Sequence, residues 1–200
     1  MMETDDSLVS ALARDLDGTF EALVVAHQDR LYSIALRMLG DRSDAEEAAQ
    51  DALVRAYRAL AGYDGPRIEA LRLRPWLATI VLNLCRSRLV RQGTRGQRPL
   101  SLEVALPATA EPRSEDSRRP EAVVAARDAA GEWARLLMTL PLAYRSAVVL
   151  RHVDGLSYPE LAAALDRPEG TVKAQVHRGL AMLRNALELT AAHDREEVIA

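Results

Sequence analysis

Eight arginines, Arg67, Arg72, Arg74, Arg86, Arg88, Arg91, Arg95 and Arg98, fall within residues 66–98, where Glu69 is the sole acid. That density of fixed positive charge suits phosphate. Among these arginines stand Trp76, Thr79 and Asn83. Asn83 carries an amide that can donate and accept hydrogen bonds, Trp76 an aromatic face, and Arg86, Arg88 and Arg91 fixed positive charge. Trp76 fits a buried anchor equally well, and a basic run fits a solvated helix end.

A second group lies near the other end. Lys173, Gln175, His177 and Arg178 are small-to-long polar and basic residues on the face opposite Val172, Val176, Leu180, Leu183 and Leu187. A helix starting near Thr171 would present them to a major groove. Before it, Ser157 and Glu160 have the spacing of a capping box, Pro159 suits a first turn, and Asp166–Gly170 breaks the short helix. The pattern is that of a helix-turn-helix, although a small bundle with a solvated polar face has the same periodicity. Arg145 and Arg151 on the preceding helix, with the helix start at Ser157 and Tyr158, are candidate phosphate contacts.

The third group is acidic. Glu47, Gln50, Asp51 and Val54 share one outward face, opposite a stripe of Ala45, Ala48, Ala49, Ala52, Leu53, Ala56 and Leu60. Glu47 and Asp51 repel at a spacing of four, and Arg55 can offset the cost. A solvated face has the same spacing.

The elements that must position these groups are helical. Aromatics make up 4 % of the 200 residues and hydrophobic residues 48 %, which favours an all-α fold over sheets. A helical segment or pair carries Phe20, Leu23, Val24, Leu31, Ile34, Ala35, Met38 and Leu39. Another begins at a capping box read at Ser43–Glu46 and runs to about Ala61, and a third spans Pro75 to about Arg91. Residues 93–120 hold six of the glycines and prolines and no helical period, as expected of a flexible linker. The expected organisation is an N-terminal tail at 1–17, a helical domain at 18–92, the linker, a helix-turn-helix domain at 121–190 and a C-terminal tail at 191–200.

Charge is segregated. Residues 1–65 carry a net −7 and residues 66–98 a net +7, within a total of −3. One residue of the 26 basic ones is lysine, so arginine abundance by itself says little. No apolar run is long enough to span a membrane and no signal-peptide pattern opens the chain, which predicts a soluble, cytoplasmic protein with no membrane insertion. Cys85, the lone cysteine, has no partner for a disulfide and is expected half-buried on a helix. The histidines are scattered and no glycine-rich phosphate loop occurs, so no catalytic residue, metal or cofactor is expected.

The wording of these segments carries a resemblance. LPLAYRSAVVLRHVDGLSYPELAAALDRPEGTVKAQVHRGLAMLR resembles the minus-35-reading region of extracytoplasmic-function (ECF) sigma factors of the sigma-70 superfamily. It is similar, more loosely, to the DNA-binding tail of response regulators. GDRSDAEEAAQDALVRAYRAL resembles the ECF segment that docks on the β′ clamp helices of RNA polymerase, and RPWLATIVLNLCRSRLVRQ resembles the helix that holds the minus-10 element. The resemblance implies that Glu47, Gln50, Asp51 and Val54 bind core polymerase. It implies that Tyr63, Arg74, Trp76, Thr79, Asn83, Arg86, Arg88 and Arg91 act on the minus-10 strand, with residues 63–74 as a specificity loop. Arg145, Arg151, Ser157, Tyr158, Thr171, Lys173, Gln175, His177 and Arg178 would act on minus-35 duplex DNA. The implied partners are core RNA polymerase (β′ clamp helices and β flap), promoter DNA both duplex and single-stranded, and an anti-sigma protein. Three positions depart from the family pattern: Leu53 stands for phenylalanine, Asp166 for the glycine that ends the short helix, where a left-handed residue is needed, and Pro168 for the usual Ser or Asn cap; the loop at 63–74 is also a little long. A regulator acting without the sigma role would require a phosphoacceptor α/β domain, and no alternating strand pattern precedes the linker. A purely protein-binding adaptor would leave the basic block and the recognition helix unexplained.

Overall fold

A computed structural model describes residues 2–94 and 133–197 of the chain. Among these residues every regular element is helical. Helices α1 (Met2–Arg14), α2 (Leu16–Leu39), α3 (Arg42–Ala61), α4 (Gly65–Glu69) and α5 (Leu73–Thr94) build the first half. A short helix α6 at 133–138, α7 (Leu142–Val148) with a π-helical continuation at Val149–Val153, α8 (Tyr158–Leu165) and α9 (Glu169–Glu197) build the second.

Side-chain chemistry sets the helix ends. Asp15, Asp41 and Asp64 accept from backbone N–H groups three residues on, capping α2, α3 and α4. The cap of α3 is therefore Asp41, not the Ser43 read from the sequence. Gly40, left-handed at φ 76°, closes α2 by donating to the Leu36 carbonyl. The Ser157–Glu160 box forms as read: the Ser157 N–H donates to Glu160 Oε2 at 2.9 Å, and the Glu160 N–H donates to Ser157 Oγ. Asp166 takes the left-handed conformation, φ 50° and ψ 55°, that glycine would adopt more readily.

In the first half α2, α3 and α5 pack against one another. Ala45, Ala48, Ala49, Ala52 and Ala56 are all buried, so the alanine stripe is the packed face of α3. Residues 2–14, expected as a tail, form α1 instead; Val9 and Leu12 are buried, and α1 packs on α2 and α4. The expected loop at 63–74 encloses α4, capped by Asp64, with Pro66 in its first turn and Ile68 buried. In the second half α9 packs on α7 and α8 through Val172, Val176 and Leu183. Helix α9 runs on through residues 191–197, also expected as a tail. Residues 93–94 complete α5, and the rest of the expected linker, 95–120, lies outside the described residues.

The buried side chains of both halves form one continuous apolar cluster. Helix α8 packs on α5, and the π segment packs on α2.

Candidate nucleic-acid interface

The acidic face is outward. Glu47, Gln50 and Asp51 are exposed, and Val54 is 49 % exposed, high for an apolar side chain. Repulsion between Glu47 and Asp51 is cancelled from another helix. Arg88 of α5 donates to Glu47 Oε2 at 2.9 Å and to Asp51 Oδ2 at 3.0 Å, and lies 3.7 Å from the Asp44 carboxylate. Arg88 thus spends its guanidinium on α3, where the sequence placed it on a DNA backbone and assigned the offsetting role to Arg55. Two charge-assisted bonds in fork geometry hold both carboxylates in place. A contact 37 and 41 residues away leaves no trace in local spacing.

Along α5 and the segment before it, the expected minus-10 residues divide. Asn83 and Arg91 are exposed, and Arg86 is half-buried. Burial pushes the Arg86 guanidinium below its ordinary value, with Arg167 adding a smaller like-charge effect. Tyr63 and Trp76 are partly buried with ring centroids 6.4 Å apart, and the Arg67 guanidinium lies 3.8 Å from the Tyr63 centroid. Trp76 therefore packs against the core, as the anchor reading expects, and lies beside Tyr63. Arg74 and Thr79 face the second half of the chain. Arg74 Nη2 donates to the Asp154 carbonyl at 2.6 Å, and Thr79 Oγ1, bonded to the Pro75 carbonyl, lies 3.5 Å from the Ala164 carbonyl.

Helix α9 presents Thr171, Lys173, His177 and Arg178 to solvent. Gln175 is half-buried at their flank, and with Thr171 and Arg178 it lines a cleft of about 470 Å³ against Ala143 and Tyr144 of α7. Arg151 and Lys173 both approach the Tyr158 ring, at 4.9 and 5.8 Å from its centroid. These are cation–π contacts that gather positive charge at the start of α8. Arg151 also donates to the Leu156 carbonyl at 2.8 Å, and the Ser157 hydroxyl is committed to the capping box. Arg145 is a correction. It is 7 % exposed and donates to the Met38, Met138 and Leu140 carbonyls, so it cannot meet a phosphate and serves to join α7 to the end of α2.

Two residues escaped sequence reasoning altogether. Arg30 of α2 forms a bidentate ion pair with Asp154, through Nε to Oδ1 and through Nη2 to Oδ2 at 2.6 Å, and Nη2 also donates to the Arg74 carbonyl at 2.9 Å. The Asp154 side chain is fully buried. Cys85, expected half-buried, is wholly buried, and burial pushes its thiol up to about 12.

Family models agree with this division of the chain. Residues 23–95 match sigma-70 region 2, and residues 130–183 match sigma-70 region 4. The ECF RNA polymerase sigma factor SigW of Bacillus subtilis is 33 % identical over 179 residues, covering 84 % of this chain and 88 % of its own. The ECF RNA polymerase sigma-E factor of Escherichia coli is 30 % identical over 189 residues, covering 92 % and 95 %. The ECF RNA polymerase sigma factor SigE of Mycolicibacterium smegmatis is 32 % identical over 178 residues, covering 89 % of this chain and 64 % of that protein's length. Among solved structures, CnrH in complex with the cytosolic domain of CnrY superposes with a TM-score of 0.67 at 26 % identity, covering 92 % of this chain and 97 % of that one.

Proposed function

The chain belongs to the ECF sigma factors of the sigma-70 superfamily, and from that premise we propose how its surfaces divide the work of transcription initiation. Core RNA polymerase docks on the α3 face through Glu47, Gln50, Asp51 and Val54, with Arg88 holding the two carboxylates. Region 4 reads duplex minus-35 DNA through Thr171, Lys173, Gln175, His177 and Arg178. The segment from Tyr63 through α5 holds the unpaired minus-10 strand, with Asn83 on a base edge and Arg86 and Arg91 on phosphate. The protein directs chemistry that polymerase performs, and works where polymerase works, in the cytoplasm. An anti-sigma protein is a fitting regulator: the similar structure CnrH was solved in complex with the cytosolic domain of another protein, CnrY, so this fold accepts a protein partner.

The observation that carries this reading is the separation of an outward acidic face on α3 from an outward polar and basic face on α9. One suits a protein partner and the other DNA. A chain with net charge −3 and an acidic first half should bind duplex promoter poorly when free and tightly within holoenzyme, with steep salt dependence.

The test is transcription from start sites mapped with purified core polymerase. Replacing Glu47, Gln50 and Asp51 by alanine should abolish polymerase pull-down with helical content unchanged. Arg88→Ala should weaken it in the same direction, because the carboxylates then repel. Arg178→Ala should lower binding to duplex promoters by roughly ten- to a hundredfold, the worth of one good base contact. It should act much less on a pre-melted template lacking a minus-35 element, whereas Asn83→Ala should harm both. Equal loss from Arg178→Ala on the two templates would remove that residue from DNA reading, and an unchanged pull-down would remove α3 from the polymerase interface.

A further inference from the structure

Helix α4 cannot hold its shape alone. It has five residues, and an isolated helix of that length is unstable in water. Ile68 is its one buried side chain, 4 % exposed. The helix it packs on is α1. There the Gly65 backbone comes against the Ala13 carbonyl, close enough that a Cβ at Gly65 would lie 3.6 Å from that oxygen.

Helix α1 has supports of its own. It has 13 residues, buries Val9 and Leu12, and packs on α2 as well as on α4. Where α1 passes into α2, the Asp15 N–H donates to the Ala11 carbonyl at 3.0 Å. Toward its other end, Asp5 lies 3.6 Å from His27 of α2. Support therefore runs from α1 to α4 and not the reverse.

Helix α4 in turn places Arg67. Successive residues of a helix point about 100° apart, so burying Ile68 turns Arg67 outward, where it is exposed. Its backbone N–H donates to Asp64 Oδ1 at 3.1 Å. Its guanidinium lies 3.8 Å from the centroid of the Tyr63 ring, and that ring lies 6.4 Å from Trp76. A cation–π contact has a defined direction, and this one is kept only while α4 stays seated on α1.

We propose that α1 is a positioning element for minus-10 recognition: by seating Ile68, Val9 and Leu12 fix α4, and with it the Arg67–Tyr63 contact beside the unpaired strand. The proposal rests on the assignment of Tyr63 and Trp76 to that strand. Val9, Leu12 and Ile68 are buried and act through Tyr63, not on DNA. A group discriminates between bases only when it is held in one geometry. Loosening α4 therefore costs base preference before it costs polymerase binding, whose acidic face lies on α3.

The experiment uses holoenzyme reconstituted from purified core polymerase and the full chain. Templates carry a pre-melted bubble and differ one base at a time across the minus-10 element of a promoter mapped with the unsubstituted holoenzyme. The readout is the ratio of initiation on the preferred base to initiation on the other three. Leu12→Ala and Ile68→Ala, one on each side of the contact, should lower this ratio about tenfold, the low end of one good base contact, at the positions where Tyr63→Ala lowers it. Leu31→Ala, an equally buried leucine of α2, should lower the melting temperature and leave the ratio unchanged. Leu12→Met and Ile68→Leu, which conserve volume, should keep most of the ratio. Core polymerase pull-down should be the same for all. Should Leu12→Ala lose helix by circular dichroism, Val9→Ala, a smaller truncation, takes its place. Unchanged ratios in the folded α1 and α4 variants overturn the positioning role. An equal loss from Leu31→Ala also overturns it, by assigning the effect to stability. No base preference in the unsubstituted holoenzyme, or full preference in Tyr63→Ala, overturns the minus-10 assignment and the proposal with it; either result appears without any α1 variant, which tells the two failures apart.

Discussion

Single residues of this chain act by completing geometry that the backbone begins. Ser157 and Glu160 satisfy two of the free N–H groups at the start of α8. Ser157→Ala should cost about 1 kcal/mol, measured by urea denaturation. The bond from Ser157 is also the main reason the Glu160 carboxyl lies below its ordinary value of 4.5. The ionised form is favoured by folding, so this stabilisation is complete above pH 4.5 and is lost as the pH falls through the depressed native value. The acid limb of the stability profile should flatten in Ser157→Ala; an unaltered limb would detach the box from that titration. This box was legible because its partners are three residues apart. Arg88 was not, because its acids are supplied by a helix on the other side of a turn, and the sequence chose the nearer Arg55.

At the scale of elements, helix positions followed from apolar periodicity, whereas of the helix starts α8 was read correctly and α3 was not. The stripe on α3 and the packed face of α9 are where a 3.6-residue repeat puts them, since burial enforces that repeat. Ends depend on which of several nearby acids wins a cap, and Asp41 prevails over Ser43. Residues 2–14 do carry a stripe, Leu8, Val9 and Leu12, which the reading as a tail passed over beside the acids Glu3, Asp5 and Asp6, and the burial of Val9 and Leu12 fixes it as a helix. The seat of α9 on α7 is tight at Gly179, where a Cβ would come within 2.6 Å of Val148 Cγ2. Replacing a helix-interior glycine by alanine ordinarily gains about 1 kcal/mol. Here Val148 is 3 % exposed and stiff at χ1, so overpacking should prevail at about 1–3 kcal/mol. Gly179→Ala should lower the melting temperature, and adding Val148→Ala should recover part of the loss. A stabilised single variant would show that α7 yields freely.

Across the whole molecule, the joining of the halves is the feature that no local pattern announces. Fold class, the two helical units and their family were written in contiguous motifs. Arg145 was misassigned because a basic residue on a helix beside a DNA-reading motif looks like a phosphate contact until its three carbonyl partners are seen. Near the same seam lies His27, 3 % exposed, with Nε2 at 3.6 Å from Asp5 Oδ1. Burial lowers its pKa below 6.5; Arg30 and Arg74 act in the same direction, while Asp5 and Asp154 oppose. The native state accepts the proton less readily than the unfolded chain, so stability is complete above pH 6.5 and declines on acidification through the native value. The decline is bounded at about 1.4 kcal/mol per pH unit for one proton. Thermal melts between pH 7 and 5 should show this slope, and His27→Leu should remove it; an equal slope in both would assign it to other groups.

The lone cysteine gives the molecule a clock. Cys85 sits at zero exposure on the helix that carries the minus-10 residues, and its thiol, pushed up to about 12, is protonated and shielded at neutral pH. A thiol reagent can therefore reach it only through a structural opening that bares α5, and the rate of alkylation counts those openings. Titrating denaturant into that measurement separates excursions that expose one helix from those that undo the entire fold. Because no second thiol exists to confuse the signal, the same chain that conceals this atom so completely also supplies, unmodified, the means to time its own breathing.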